Sequence, residues 1–312
     1  MSSAGRLLLT RNTPAATAEI GEPVSDLQSR VAGAPISWGV CEVPGWGHQL
    51  DAARVLTEMS DLGLAATEFG PSGFLPGAPA AKAAVLAAHG LRAVGGFLPV
   101  LLHDPEHDPL PEVDAYIDGC LAAGAGVVVL AAYTGSEGYD ARPVLDELGW
   151  KTLLANLDRI DEHARSRGVV TALHPHVGTM IENRSEVDAV LAGSRVGLCV
   201  DTGHLLVGGT DPVALTRRHA DRVVHVHLKD VDAAVARRVR AGELTYGEAV
   251  GEGLYTPLGE GDIDVAALVK ALENAGYTGW YVLEQDVKLD RDPEGEGPVA
   301  EVRASLTHLQ EA

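Results

Sequence analysis

From residue 32 onward the chain alternates short apolar runs with longer stretches of helical period. Eight runs have the length and the Gly, Pro or Asp boundaries of buried parallel strands: 32–37 (AGAPIS), 64–69 (LAATEF), 91–98 (LRAVGGFL), 126–131 (GVVVLA), 169–174 (VVTALH), 196–201 (VGLCVD), 222–228 (RVVHVHL) and 279–284 (GWYVLE). Helical patterns separate them at 49–62, 78–89, 144–167, 184–192 and 264–275; in 144–167, Leu145, Leu148, Leu153, Leu157 and Ile160 fall near one face. Gly63, Gly90, Gly168 and Gly276 stand where such helices end, as expected of left-handed C-caps. Strict alternation predicts an α/β fold with a parallel sheet. No Gly-rich fingerprint follows the first strand, as an open dinucleotide-binding sheet requires. Polar residues gather instead at the C-terminal ends of several strands, where a closed barrel builds its site. The pattern predicts a single (β/α)8 barrel.

Two regions break the rhythm. Residues 1–30 read as a polar, Ala-rich arm, and 31–312 as the barrel domain. Residues 230–262 form an insertion after strand seven, a candidate lid or interface loop. With 46% hydrophobic but only 4% aromatic residues, Ala, Val and Leu must fill the core. The net charge of −20, from 24 basic and 44 acidic residues, argues against nucleic acid and against an anionic membrane surface as partners. No run approaches the ~20 apolar residues of a membrane span, and Leu7–Leu9 is too short for the core of a signal peptide. Cys41, Cys120 and Cys199 are odd in number and lack CxxC spacing, which fits a reduced, cytoplasmic setting.

The strand ends carry the chemistry. Strand five delivers His174 and His176; strand six Asp201 and then His204; strand seven His225, His227, Lys229 and Asp230; strand eight Glu284 and Asp286. Side chains alternate along a strand, so His174 shares a face with His176, and His225 with His227 and Lys229. Buried imidazoles and carboxylates need a partner, and their convergence on four consecutive strand ends points to a metal ion. His89, His163 and His219 lie on helical patterns and read as surface or capping residues.

The stretches VGLCVDTGH, VVHVHLKD, LGEGDID and WYVLEQD resemble the sugar phosphate isomerase/epimerase superfamily of xylose isomerase-like TIM barrels, over about residues 32–310. PISWGV near the start, and HLKDV followed by an insertion and PLGEGDID, are most similar to inosose dehydratases within it. The resemblance implies one divalent metal, Mn²⁺ or Co²⁺ first, with Zn²⁺ or Mg²⁺ as alternatives. It places Asp201, His227 and Glu284 among the ligands. The strand-five ligand, usually a glutamate, is here His174 itself or Glu182 from the start of the next helix. The superfamily also holds three-metal DNA-repair endonucleases, a branch that the acidic charge disfavours. GEGD at 259–262 is weak evidence for phosphate binding.

The implied function is a lyase that dehydrates a keto-cyclitol of the 2-keto-myo-inositol type through an enediolate stabilised by the metal. The alternatives are an isomerase or epimerase of a keto sugar or cyclitol, and a non-catalytic sugar-binding barrel. In each case the partner is a small polyhydroxylated molecule. His176, Lys229 and Glu68 are the catalytic candidates, Glu68 with a salt bridge at the barrel mouth as its alternative role. His204 is read as a substrate contact or a support for the ligands. Trp38 is read as a substrate-binding wall or as core packing; Trp46 and Phe74 are further candidates for the wall. The superfamily is often dimeric or tetrameric, which implies a homo-oligomer with 230–256 as the contact.

Overall fold

The computed structural model describes residues 27–136 and 138–311. Eight parallel staves form the sheet. They are β1 (Val31–Gly33), β2 (Ala66–Thr67), a third stave in two pieces, β3 (Arg92–Ala93) and β4 (Gly95–Leu101), then β5 (Val127–Tyr133), β6 (Val170–Leu173), β7 (Gly197–Asp201), β8 (Val223–Leu228) and, last along the chain, Tyr281–Leu283. Their order is β3-β2-β1, then Tyr281–Leu283, then β8-β7-β6-β5-β4. The third stave closes the ring. Val94 N–H donates to Thr67 on one side, and the Val94 carbonyl accepts from Gly126 and Val127 on the other. The fold is the expected (β/α)8 TIM barrel.

Helices α1 (Ala52–Asp61), α2 (Pro79–Ala88), α3 (Leu110–Ala122), α4 (Glu147–Ser166), α5 (Arg184–Gly193), α6 (Thr202–Val207) and α7 (Pro212–His219) follow the first six staves. Most start on side-chain caps: Asp51, Asp146, Asn183, Asp201 and Asp211 each accept a backbone N–H of the first turn. Gly63, Gly90, Gly168 and Gly276 all adopt positive φ just past helix ends.

Several staves are shorter than their apolar runs. The first stops at Gly33 because Pro35 opens a 3-10 turn, Pro35–Trp38. The third is divided at Gly95, where φ is 148° and a Cβ would lie 1.8 Å from the Val127 carbonyl oxygen. Only glycine lets the neighbouring stave approach so closely. The expected arm at 1–30 lies outside the described residues except for Leu27–Arg30. Those four form a 3-10 helix that belongs to the barrel. Buried Arg30 donates to both Glu273 carboxylate oxygens, at 2.8 and 2.7 Å, and to the Tyr277 and Gly279 carbonyls.

The residues that line the inside of the barrel are small. Ala32, Ala66 and Val282 form one interior cluster, and Val127, Val129, Ala172 and Cys199 another. The alternate positions, such as Val128, Leu130, Leu173, Leu198 and Val226, join the main core between staves and helices. Further toward the C-terminal mouth the inward positions change from Ala, Val and Cys to His174, Asp201, His227 and Glu284.

The insertion folds back over that mouth. After β8, β9 (Asp230–Val231) pairs antiparallel with β10 (Tyr255–Thr256), enclosing α8 (Ala233–Arg240) and α9 (Tyr246–Gly251). The Asp230 carboxylate accepts the backbone N–H groups of Gly259, Gly261 and Ile263 at 2.8, 3.1 and 3.0 Å. The amides of the GEGD turn are thus spent within the protein, which removes the basis for reading it as a phosphate cradle. α10 (Val265–Asn274) leads to the eighth stave, named β11 (Tyr281–Leu283), and α11 (Pro298–Glu311) ends the barrel.

Gly95→Ala should destabilise the protein by at least about 2 kcal/mol, because the backbone of the third stave must shift away from β5. Chemical denaturation checks this; an unchanged midpoint would show that the break in the stave is not sterically enforced.

Candidate active site

Period-two alternation delivers the inward side chains of β6, β7, β8 and β11 to one level at the C-terminal mouth. His227, at the end of β8, lies at the centre. Its Nε2 donates to Glu68 Oε1 at 3.0 Å, and His225 Nε2 reaches the same oxygen at 2.8 Å. Its Nδ1 lies 2.9 Å from Glu284 Oε2 and 3.4 Å from Asp201 Oδ2, and makes no hydrogen bond. With Nε2 donating to Glu68, Nδ1 faces two carboxylate oxygens, a position that is filled either by a proton on Nδ1 or, in its place, by a metal cation. Asp201, His227 and Glu284 offer ligand atoms within 4.8 Å of one another, and all three are buried in this cluster. A nitrogen with two carboxylates suits a divalent ion.

His174 belongs to this centre. Its Nε2 is 3.2 Å from the same Asp201 Oδ2. Glu182 does not belong to it. Its carboxylate accepts the Gly178 N–H at 2.7 Å and pairs with Arg142 Nε at 3.2 Å. It lines a separate cavity of ≈ 630 Å³ together with Arg142, Trp150 and Leu244. Of the two strand-five alternatives, the structure brings only His174 to the cluster, because a remote arginine holds Glu182 outside.

Lys229 is fully buried beneath the chamber. Its Nζ is 2.7 Å from Glu284 Oε1, 2.5 Å from Asp286 Oδ1, 3.5 Å from Asp201 Oδ2 and 3.2 Å from His204 Nε2. The insertion completes this network. Tyr246 donates its hydroxyl to Asp286 Oδ2 at 2.5 Å and lies 3.0 Å from the Tyr255 hydroxyl. Lys229 Nζ stands 5.1 Å from the centre of the Tyr255 ring. Among the described residues, four carboxylates, Glu68, Asp201, Glu284 and Asp286, are therefore buried here with a single lysine ammonium.

Electrostatics follow from that imbalance. Burial penalises the charged form of Glu284, but His227 and Lys229 bring it down to about 2. The same balance, burial against neighbouring cations and hydrogen-bond donors, holds Asp201 and Glu68 well below the usual carboxylate range. Burial opposes protonation of His227, yet Cys199, Glu284, Glu68 and Asp201 raise it well above an ordinary imidazole. Burial lowers His176 to about 3, aided by His174 and Lys229, and lowers His174, His204 and His225 as well. These rings are neutral nitrogen donors, the form that binds metal.

The cluster forms the floor of a chamber of ≈ 550 Å³. Glu68, His174, His176, His227, Glu284 and Asp286 line its polar side. His176 Nδ1 lies 2.6 Å from the Val177 carbonyl, which fixes Nδ1 as the protonated nitrogen and Nε2 as the lone-pair nitrogen. Three expected contacts lie elsewhere. Trp38 is completely buried in the core, with its indole N–H on Glu58 Oε2 at 2.7 Å, so it is not a chamber wall. His204 and Lys229 sit behind the lining: His204 stacks on His176 with ring centres 3.7 Å apart. Trp46 does line the chamber, whereas Phe74 does not.

Asp286, His225, Tyr246 and Tyr255 received no role from the sequence. Asp286 and His225 were visible in the period-two pattern, two residues from Glu284 and His227. Nothing local marks the two tyrosines, which arrive from the insertion.

The comparisons agree with the barrel fold. The model of the xylose isomerase-like TIM barrel family matches residues 56–312. The rhizopine catabolism protein MocC of Rhizobium meliloti is 36% identical over 294 residues, covering 90% of this chain and 87% of that protein. An inosose dehydratase of Geobacillus thermodenitrificans is 31% identical, covering 81% of this chain and 88% of its own length. The crystal structure of the IolI protein with a bound zinc atom superimposes with a TM-score of 0.63 at 14% identity, covering 90% of this chain and 97% of IolI. The chain belongs to the xylose isomerase-like TIM barrel family.

Proposed function

We propose that the protein is a metal-dependent hydro-lyase that removes water from a keto-cyclitol of the 2-keto-myo-inositol class. The observation that carries the reading is His227 Nδ1, buried without a hydrogen bond and set between the Asp201 and Glu284 carboxylates. The similarity to inosose dehydratases supplies the substrate class. Asp201, His227 and Glu284 hold the ion, with His174 as the fourth protein ligand. The donor set suits Mn²⁺ or Co²⁺, and equally the Zn²⁺ named for IolI. When bound, the ion supplies Lewis-acid stabilisation of the negative charge that develops on the substrate's ketone oxygen.

The remaining work falls to the chain's own residues. His176 presents Nε2 to the chamber and takes the proton from the carbon next to the ketone. As imidazolium it then gives that proton to the leaving hydroxyl, so no net proton is consumed. Both Asp286 oxygens accept hydrogen bonds, from Lys229 and Tyr246, so Asp286 orients substrate hydroxyls and does not donate a proton to them. Lys229 has no place on the chamber surface. It holds Glu284 and Asp286 in position, in place of the acid–base role expected for it. Glu68 likewise orients His227 rather than abstracting a proton, as the carboxylate of a carboxylate–histidine–metal arrangement.

The runner-up is an isomerase or epimerase, in which His176 returns the proton to carbon. Identity of 31–32% to inosose dehydratases, over about four fifths of the chain, favours the lyase. A purely sugar-binding barrel has no use for the His227 arrangement. No helix among the described residues is long and apolar enough to cross a membrane.

Incubation with Mn²⁺ and 2-keto-myo-inositol should give a product lighter by one water, followed by mass spectrometry. Deuterium uptake from solvent without loss of mass would point to the isomerase instead. Asp201→Ala and Glu284→Ala should each abolish metal retention with the fold intact by circular dichroism; turnover surviving either change would contradict the ligand assignment. Glu68→Gln should weaken metal affinity by about 10–100-fold, because a neutral amide polarises His227 less. Unaltered affinity by chelator competition would leave Glu68 free for the proton-transfer role that the sequence also allowed.

A further inference from the structure

The chamber is larger than a bare keto-cyclitol requires. At ≈ 550 Å³ it lies within the range of roughly 300–1,000 Å³ that encloses drug-sized ligands, whereas such a ring has about twelve non-hydrogen atoms. The additional space runs away from the metal cluster, toward α2 and α3. Phe69, Leu75, Leu98 and Pro99 wall it, and Lys82 and Tyr116 reach it from the two helices.

The polar groups of the two ends differ in how they are satisfied. The lining carboxylates are engaged within the protein: Glu42 by the Tyr139 hydroxyl at 2.8 Å, Glu68 by two imidazoles, Glu284 by Lys229, and Asp286 by Lys229 and Tyr246. Lys82 is half-buried and forms no ion pair or hydrogen bond through its ammonium among the described residues. Its Nζ rests 4.0 Å from the centre of the Phe69 ring. Tyr116 lines the same part of the chamber, close to Phe69. A Cβ on Gly96 would lie 2.9 Å from the Tyr116 hydroxyl and 3.3 Å from Phe69 Cβ. No partner holds the Tyr116 hydroxyl among the described residues either. Both groups are donors on a largely apolar wall and are free to meet an acceptor on a ligand.

We infer that Lys82 and Tyr116 form a subsite for a carboxylate carried by the substrate on the side of the ring remote from the ketone. Two donors match the two oxygens of a carboxylate, while a phosphate dianion normally draws on more donors than these. Glu42, Glu68, Glu284 and Asp286 disfavour an anion over much of the chamber, and Lys82 is the one lysine or arginine among the described residues of its lining. The inference rests on the keto-cyclitol reading above and extends it: hydroxyketone rings that also carry a carboxylate are the preferred ligands of the same site.

The test uses the full chain loaded with Mn²⁺ and stopped-flow quenching of tryptophan emission, to which Trp46 in the chamber wall contributes. The probes are 2-keto-myo-inositol, 3-dehydroquinate as a cyclic hydroxyketone with one carboxylate, and D-fructose 6-phosphate. The carboxylated ring should bind about tenfold more tightly than the neutral one, a margin typical of one charge-assisted contact. Lys82→Gln should reduce the ratio of the two affinities to about one, Lys82→Arg should keep it, and Tyr116→Phe should lower it in part. An equal preference in the wild type, a ratio unchanged by Lys82→Gln, or tightest binding of the phosphate ester overturns the inference. If the neutral ring binds only with metal but the carboxylate adds nothing, the subsite alone is wrong. If neither ring binds the loaded protein, the keto-cyclitol reading fails and the subsite falls with it.

Discussion

Four carboxylates are buried at the barrel mouth against one ammonium, and the rest of the site follows from that constraint. Each carboxylate must be paired or hydrogen-bonded to remain ionised out of water. Lys229 serves Glu284 and Asp286 and approaches Asp201; His225 and His227 serve Glu68. These pairings still leave His227 Nδ1 facing Asp201 and Glu284 without a hydrogen bond. The barrel supplies rigidity, since each of these residues stands at or just past the end of a stave whose register is fixed on both sides. The proposed divalent ion between Asp201, His227 and Glu284 would complete the charge balance that these side chains alone leave short.

The insertion after β8 is part of that balance. Tyr246 and Tyr255 place hydroxyl groups and a ring face around Asp286 and Lys229 from above, so the loop that covers the mouth also satisfies its buried charges. Asp230 performs the corresponding service at the root of the insertion, where its carboxylate gathers three loop amides. Positioning of the cluster and closure of the mouth are therefore linked through side chains only a few residues apart on β8 and β9.

Much of this was legible in the chain. Alternation of small apolar and polar residues fixed which face of β6, β7, β8 and β11 turns inward, and hence that His174, Asp201, His227 and Glu284 meet. What the sequence concealed were choices made by distant partners. Glu182 was as plausible a ligand as His174 until Arg142, forty residues earlier, is seen to hold it outside. Trp38 was removed from the chamber by a hydrogen bond to Glu58 on α1. The two tyrosines could not be placed because the path of the insertion depends on contacts with no periodic signature. The break in the third stave was hidden for a similar reason: the need for Gly95 lies in the approach of β5, not in its own neighbours.

The most direct test of the account is the position of the ion. Crystals of the protein grown with Mn²⁺ and measured at an energy with manganese anomalous signal should show one peak, about 2.0–2.3 Å from His227 Nδ1 and from the Asp201 and Glu284 oxygens. A peak instead on the opposite side of the ring, among Glu68, His225 and His227, which also form a compact ligand group, would contradict it.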